Sequence, residues 1–151
     1  RMDGEMMFFP YRELLGFDAI AWFVETALGI EHDISQVPEP QKHAFVKTAT
    51  GMELWTNKEG TVTKIEGFDE IAKLPGVYCE TLKQVGDGIV KYRPVGVITF
   101  ATNTYDEMER MIKLVNSQVH VYNEFNEDVI IKYTDFEYLR KIYETGLKES
   151  E

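Results

Sequence analysis

The chain reads as an α+β domain, a largely antiparallel sheet with helices packed against it. Three observations predict that class. Short extended runs recur between turn residues from 43 to 132, two capping boxes each open a helical apolar pattern, and tight turns join several neighbouring strands. With 151 residues there is room for one domain with a real core or two small lobes sharing one. A hydrophobic share of 44% and a charged share of 28% fit a folded globular chain. The net charge of −10 argues against nucleic-acid phosphates and anionic lipid as partners. The longest apolar run, residues 19–24, falls far short of the ~20 residues that cross a bilayer. Cys79 is the sole cysteine and cannot form an internal disulfide, which fits a reducing compartment. The expectation is a soluble, cytoplasmic protein with no nucleic-acid and no membrane partner.

Residues 1–10, R-M-D-G-E-M-M-F-F-P, run from a charged tetrapeptide into Met6, Met7, Phe8 and Phe9. Such a start reads as the continuation of upstream chain, because a free terminus frays unless it is tied down. Asp18 then caps a helix over 18–28, and Gly29 stops it. Apolar residues surround that helix almost completely, so it is expected to be covered on more than one side and to bridge to protein outside these residues. Pro38 and Pro40 interrupt the acidic connector at 31–42. The expected division is therefore 1–42, the end of one lobe, and 43–151, an α+β subdomain.

In the second unit, 43–49 and 52–55 read as two short strands before a turn at 57–60. Residues 58–77, K-E-G-T-V-T-K-I-E-G-F-D-E-I-A-K-L-P-G-V, pack a turn, a strand, a second turn, a short helix and a stop into twenty positions. Gly60 reverses the chain, Val62 and Ile65 lie on an extended run, and Asp69 is expected to cap a helix whose apolar side is Ile71 and Leu74. Pro75-Gly76 ends it. Residues 77–85 read as extended, Gly86-Asp87-Gly88 as a hairpin-type turn, and 95–101 as a buried strand with apolar side chains on both faces. Thr104-Tyr105-Asp106-Glu107 is a capping box, and Met108, Met111, Ile112 and Val115 follow at helical spacing. That helix is placed on the sheet. Residues 119–122 and 128–132 read as strands, and Thr134-Asp135-Phe136-Glu137 as a second capping box. Its helix carries Phe136, Leu139, Ile142 and Tyr143, with Gly146 as the expected end.

Reactive constellations are sparse. His32, His43 and His120 stand apart with no spacing that gathers three or four metal ligands. Cys79 lies on a presumed strand, where a buried structural thiol is commoner than a nucleophile. Ser35, Ser117 and Ser150 are the only serines and none sits in G-x-S-x-G. Gly86-x-Gly88 lacks the third glycine and following helix of a phosphate loop. The acidic pairs Asp69-Glu70 and Asp106-Glu107 suit helix first turns, and Glu127-Asp128 is the third such pair. The aromatics Tyr133, Phe136, Tyr138 and Tyr143 suit helix packing better than base stacking on an acidic protein. Arg1 with Gly4 remains: a guanidinium fork and an exposed backbone N–H three residues on could clamp an anion, or could be an ordinary turn.

The order of motifs is similar to the C-terminal region of ATP-grasp ligases, in particular the carbamoyl-phosphate-synthase-like and L-amino-acid-ligase group. The resemblance rests on G-T-V-T-K-I-E-G-F-D-E-I-A-K-L-P-G-V at 60–77, the extended 77–85, the G-D-G turn, the glycine-bearing strand 95–101 and the capped helix 104–118. It covers roughly 44–121. Gly16-Phe17-Asp18 matches the start of the helix that follows the group's E-x-N-x-R segment, and Arg1 and Gly4 match the end of that segment. Residues 123–151 have no counterpart in the pattern.

The resemblance implies the C-terminal part of an ATP-grasp fold within a carboxylate-amine ligase that works through an acyl-phosphate. Arg1 and Gly4 would stabilise the anionic intermediate. ATP and Mg²⁺ would be cofactors of the parent enzyme, held by residues upstream of Arg1, with none expected on this piece, which alone would be inactive. Expected partners are the upstream ATP-grasp lobes of the same chain, a carboxylate and an amine substrate, and a second copy in a homodimer. The rival reading is a non-catalytic α+β domain that binds a small ligand or another protein.

Overall fold

The computed structural model describes Arg12, residues 16–37 and residues 48–148. Its centre is the strand β6 (Pro94–Thr102), which pairs antiparallel with β1 (Thr48–Trp55) on one side and β4 (Val77–Thr81) on the other. A central strand must be apolar on both faces, as V-G-V-I-T-F-A already required. Ile98 and Phe100 are buried on the face that also carries Met52, Leu54, Val77 and Cys79. A register shift between Leu54 and Trp55 marks a bulge where β1 ends.

The helix α3 (Tyr105–Gln118) covers this inner face with Tyr105, Met108, Ile112 and Val115, one buried stripe at helical spacing. Thr104 is its N-cap, accepting from the Glu107 N–H at 3.2 Å, while the Glu107 carboxylate reaches the Asn103 N–H at 2.9 Å. The box therefore closes one residue earlier than its usual form. Helix α4 (Phe136–Lys148) and the residues that lead into it are tied onto α3. The Tyr105 hydroxyl donates to the Phe136 carbonyl at 2.6 Å, the Asn116 amide donates to the Tyr133 carbonyl at 2.6 Å, and Arg140 pairs with Asp106 at 3.0 Å while lying 4.1 Å over the Tyr105 ring. Asp135, not Thr134, caps α4 by accepting from the Tyr138 N–H at 3.0 Å, and the helix runs past Gly146.

Two short ribbons lock the margins: β2 (Gly60–Thr61) with β5 (Gly88–Ile89), and β3 (Lys64–Glu66) with β7 (His120–Tyr122). Residues 128–132 make only isolated bridges, Tyr122 to Asp128 and Thr56 to Ile130, instead of a full strand. The two predicted strands on either side of Gly51 are one continuous strand from Thr48, and residues 43–47 lie outside the described region. The predicted extension of 77–85 stops at Thr81.

Helix α2 (Phe68–Ala72) starts one residue before Asp69. Gly67 is its N-cap, in the left-handed region at φ 84°, with no side-chain cap, and Asp69 and Glu70 fall in the first turn. A Cβ at Gly67 would collide with the Gln118 carbonyl at the end of α3. Glycine is required there twice over, by φ and by space. Helix α1 (Ala19–Ala27) is capped by Asp18, which accepts from the Ala21 N–H at 2.9 Å. No α1 residue is buried, with Phe23 50% and Val24 53% exposed, so the cover expected for this helix is not supplied by the described residues.

Gly67→Ala is predicted to destabilise the domain by at least about 1–2 kcal/mol, the left-handed penalty alone. Urea unfolding measures it, and an unchanged midpoint would contradict the close approach of the α2 start to α3.

Candidate functional site

Two of the concavities among the described residues border the sheet and the helices packed on it. One is a polar cleft of ≈ 840 Å³ at the start of α2, lined among others by Glu66, Asp69, Glu70, Lys83, Gln84 and His120. The other is an apolar groove of ≈ 560 Å³ between β1 and residues 131–135, with Met52, Leu54, Trp55, Ile112, Tyr133 and Leu139 on its walls.

A group of titratable side chains meets the polar cleft at His120. His120 Nδ1 lies 2.8 Å from Asp128 Oδ2, and His120 Nε2 lies 3.2 Å from the Ser117 carbonyl. Lys132 Nζ sits 3.2 Å from the same Asp128 oxygen and also donates to the Val119 carbonyl. The other oxygen of Asp128 accepts from the Ile130 N–H at 3.2 Å and the Val121 N–H at 3.4 Å. Half-burial pushes the Asp128 carboxyl up, but the bonds from His120 and Ile130 and the charge of Lys132 outweigh it. The carboxyl is held below its ordinary 3.8. Every polar atom of this trio is engaged in tying β7, the end of α3 and the 128–132 segment together. It is a clasp that joins these three segments.

A second cluster fixes the turn after β7. Asn123 is buried, its Oδ1 accepting from the Phe125 and Glu127 N–H groups at 3.1 and 3.0 Å and its Nδ2 donating to the Glu59 carbonyl at 3.3 Å. Glu124 accepts from the Thr61 N–H at 2.5 Å, which lowers its carboxyl, and Glu127 is lowered by the Asn123 amide and by Lys58, 3.2 Å away. These carboxylates hold the β2 ribbon to the turn.

Cys79 is half-buried on β4, and burial followed by the negative charge of Asp69 pushes its thiol up to about 11. It is protonated at neutral pH, the opposite of an activated nucleophile. The Ser117 hydroxyl donates to the Leu114 carbonyl within its own helix. His32 lies 3.3 Å from Glu25 and against the Trp22 ring, while His43 is outside the described residues. Gly86-Asp87-Gly88 is a turn in which Asp87 accepts from the Gln84 N–H at 2.9 Å, so no phosphate cradle forms there. Among the described residues no three His, Cys, Asp or Glu side chains converge as a metal cage, and no helix is long and apolar enough to cross a membrane. Arg1 and Gly4, the predicted anion clamp, both lie outside the described residues.

No family model matches this sequence, and no curated protein matches it significantly. Among solved structures, the crystal structure of an L-amino acid ligase from Bacillus licheniformis is similar, with a TM-score of 0.64 at 20% identity over 82% of this chain. The α+β fold is shared with part of a ligase. That α+β class is the one expected from the sequence. The chain spans 31% of the length of that ligase structure.

The sequence reading brought Asp69 and Glu70 correctly to the first turn of α2 but missed the His120–Asp128–Lys132 clasp. An eight-residue separation across a turn carries no periodic signal, and only the β7 pairing reveals it. Because the folded-state value of Asp128 is depressed, its contribution is fully present above the ordinary aspartate value and is lost as pH falls through the lower folded one. Asp128→Asn should therefore cost about 1–2 kcal/mol at neutral pH and flatten the stability profile below pH 3.8. Urea unfolding across acidic pH checks this, and parallel profiles for the two proteins would contradict it. Cys79 should react with iodoacetamide far more slowly than a free thiol at neutral pH, as followed by mass spectrometry.

Proposed function

We propose that this chain is the C-terminal portion of an ATP-dependent carboxylate-amine ligase of the ATP-grasp type, akin to the L-amino-acid ligases and carbamoyl-phosphate-synthase-like enzymes. The observation that carries the reading is the fold shared with an L-amino acid ligase over 82% of the chain. The motif order from 44 to 121 points the same way. In this reading residues 1–42 end the catalytic lobe and 43–151 form its α+β C-terminal subdomain. The exposed apolar helix α1 supports a seam between them and the upstream lobes, because a face of that kind is normally covered by protein.

The parent enzyme would transfer the γ-phosphoryl of ATP to a carboxylate oxygen. An amine nitrogen would then attack the acyl carbon, and phosphate would leave with the acyl-oxygen bond. ATP and Mg²⁺ would bind on the upstream lobes. Arg1 would place its fork of donors on the anionic intermediate and Gly4 would add a backbone N–H. The present chain would position and cover that site without carrying out the reaction, in a cytoplasmic enzyme.

Isothermal titration of the isolated chain with Mg-ATP should show no micromolar binding. A micromolar dissociation constant would overturn the placement of the nucleotide upstream. Joined to its upstream coding sequence, the protein should release ADP only when both an amino acid and an amine are supplied, and amine-independent turnover would overturn the ligase reading.

A further inference from the structure

We infer that the turn 90–93, between β5 and β6, is a docking point for an acidic segment of another protein, one that carries apolar or aromatic side chains beside its carboxylates. The turn is clamped to Thr56, which is fully buried just past the end of β1. The Thr56 N–H donates to the Arg93 carbonyl at 3.1 Å, its carbonyl accepts from the Tyr92 N–H at 2.9 Å, and its hydroxyl donates to the Val90 carbonyl at 2.8 Å. These bonds fix the backbone in a strained form. Tyr92 has φ 57°, in the left-handed region that glycine or asparagine enters easily and a bulky side chain does not.

Packing does not repay that strain, since Tyr92 is 61% exposed. Its ring meets the ammonium of Lys91, a residue of the same turn, 5.1 Å away. Strain kept at an exposed aromatic residue points to what the side chain meets outside the fold. Val90 is exposed just before it, and Trp55, 40% exposed, has Pro94 as its register partner and so stands at the foot of the turn. Tyrosine, tryptophan and arginine are the residue types that carry most of the binding energy at protein interfaces, and Tyr92, Trp55 and Arg93 bring one of each to this place.

Charge complementarity selects the partner. Lys91 and Arg93 flank the tyrosine, both are exposed, and neither enters an ion pair among the described residues. Lys58, Lys64, Lys113, Lys132 and Arg140 are each paired with a carboxylate. On a chain with 26 acidic side chains against 16 basic ones, two neighbouring cations left without a carboxylate suit carboxylates brought from outside. The apolar flank of Val90, Tyr92 and Trp55 favours a protein segment over a bare anion, and the net charge of −10 disfavours the dense phosphates of a nucleic acid. The inference uses the turn alone and does not depend on the ligase reading.

Amide NMR of the chain at low salt tests it with three probes: a short peptide of aspartate, tyrosine and leucine, the same peptide with lysine for aspartate, and a single-stranded DNA oligonucleotide. The acidic peptide should shift the amides of 90–93 and the Trp55 indole N–H ahead of the rest of the chain. Lys91→Glu with Arg93→Glu should raise its Kd about ten-fold or more and pass the same set of shifts to the lysine peptide, a swap that damage to the fold does not produce. Tyr92→Gly should weaken binding while leaving the urea midpoint unchanged or higher, because glycine takes the left-handed form freely. Reversing Lys73 and Lys141, which also enter no ion pair among the described residues, should leave binding as it is. No shift at millimolar acidic peptide, shifts spread evenly over the surface, tighter binding of the oligonucleotide, or indifference to the double reversal overturns the proposal.

Discussion

The contact on which this fold depends is the seating of the Phe68 ring across Gly96. A Cβ at Gly96 would strike that ring, so the central strand carries a gap shaped to receive the aromatic at the start of α2. Phe68 brings Ile71, which is fully buried, and the chain then turns into β4 beside β6. Nearby, Gly67 lets the start of α2 approach the end of α3 where any side chain would collide. Two glycines thus allow one aromatic residue to fasten helix layer to sheet. Burial of an aromatic of this size is worth about 1.5–3 kcal/mol relative to exposure, before the packing it organises is counted.

The stretch 58–77 is therefore more than a run of turns. Its ribbon residues reach β5 through Gly60 and Thr61 and β7 through Lys64–Glu66, and its helix reaches β6. Each of these partners is distant in sequence. The His120–Asp128–Lys132 clasp and the Asn123 turn secure the same region from the other side, with Glu124 returning to Thr61. Polar groups that might have been taken for chemistry are consumed in holding the ribbons together.

Much of this was legible in the residue order. The alternation of V-G-V-I-T-F-A, the Thr104 cap and the stripe of Met108, Ile112 and Val115 are local or periodic signals, and each marks its element correctly. What escaped depends on distant partners. Asp69 looked like the cap because its own chemistry favours that role, yet the Gly67 approach to Gln118 starts the helix earlier. Gly51 looked like a break between strands, but β6 supplies a full ladder on both sides of it. The clasp joins residues through a turn that no spacing rule anticipates. As for the expected anion clamp, Arg1 and Gly4 stand outside the described residues.

On the proposed reading, residues 48–148 form a self-supporting α+β body built on β6, and α1 lies on a surface that other protein covers. Amide hydrogen exchange on the isolated chain tests this most directly, because protection reports local opening against global unfolding. The slowest amides should lie in β6 and α3, with those of α1 exchanging orders of magnitude faster. Equal protection of α1 and β6 in the monomer would contradict it.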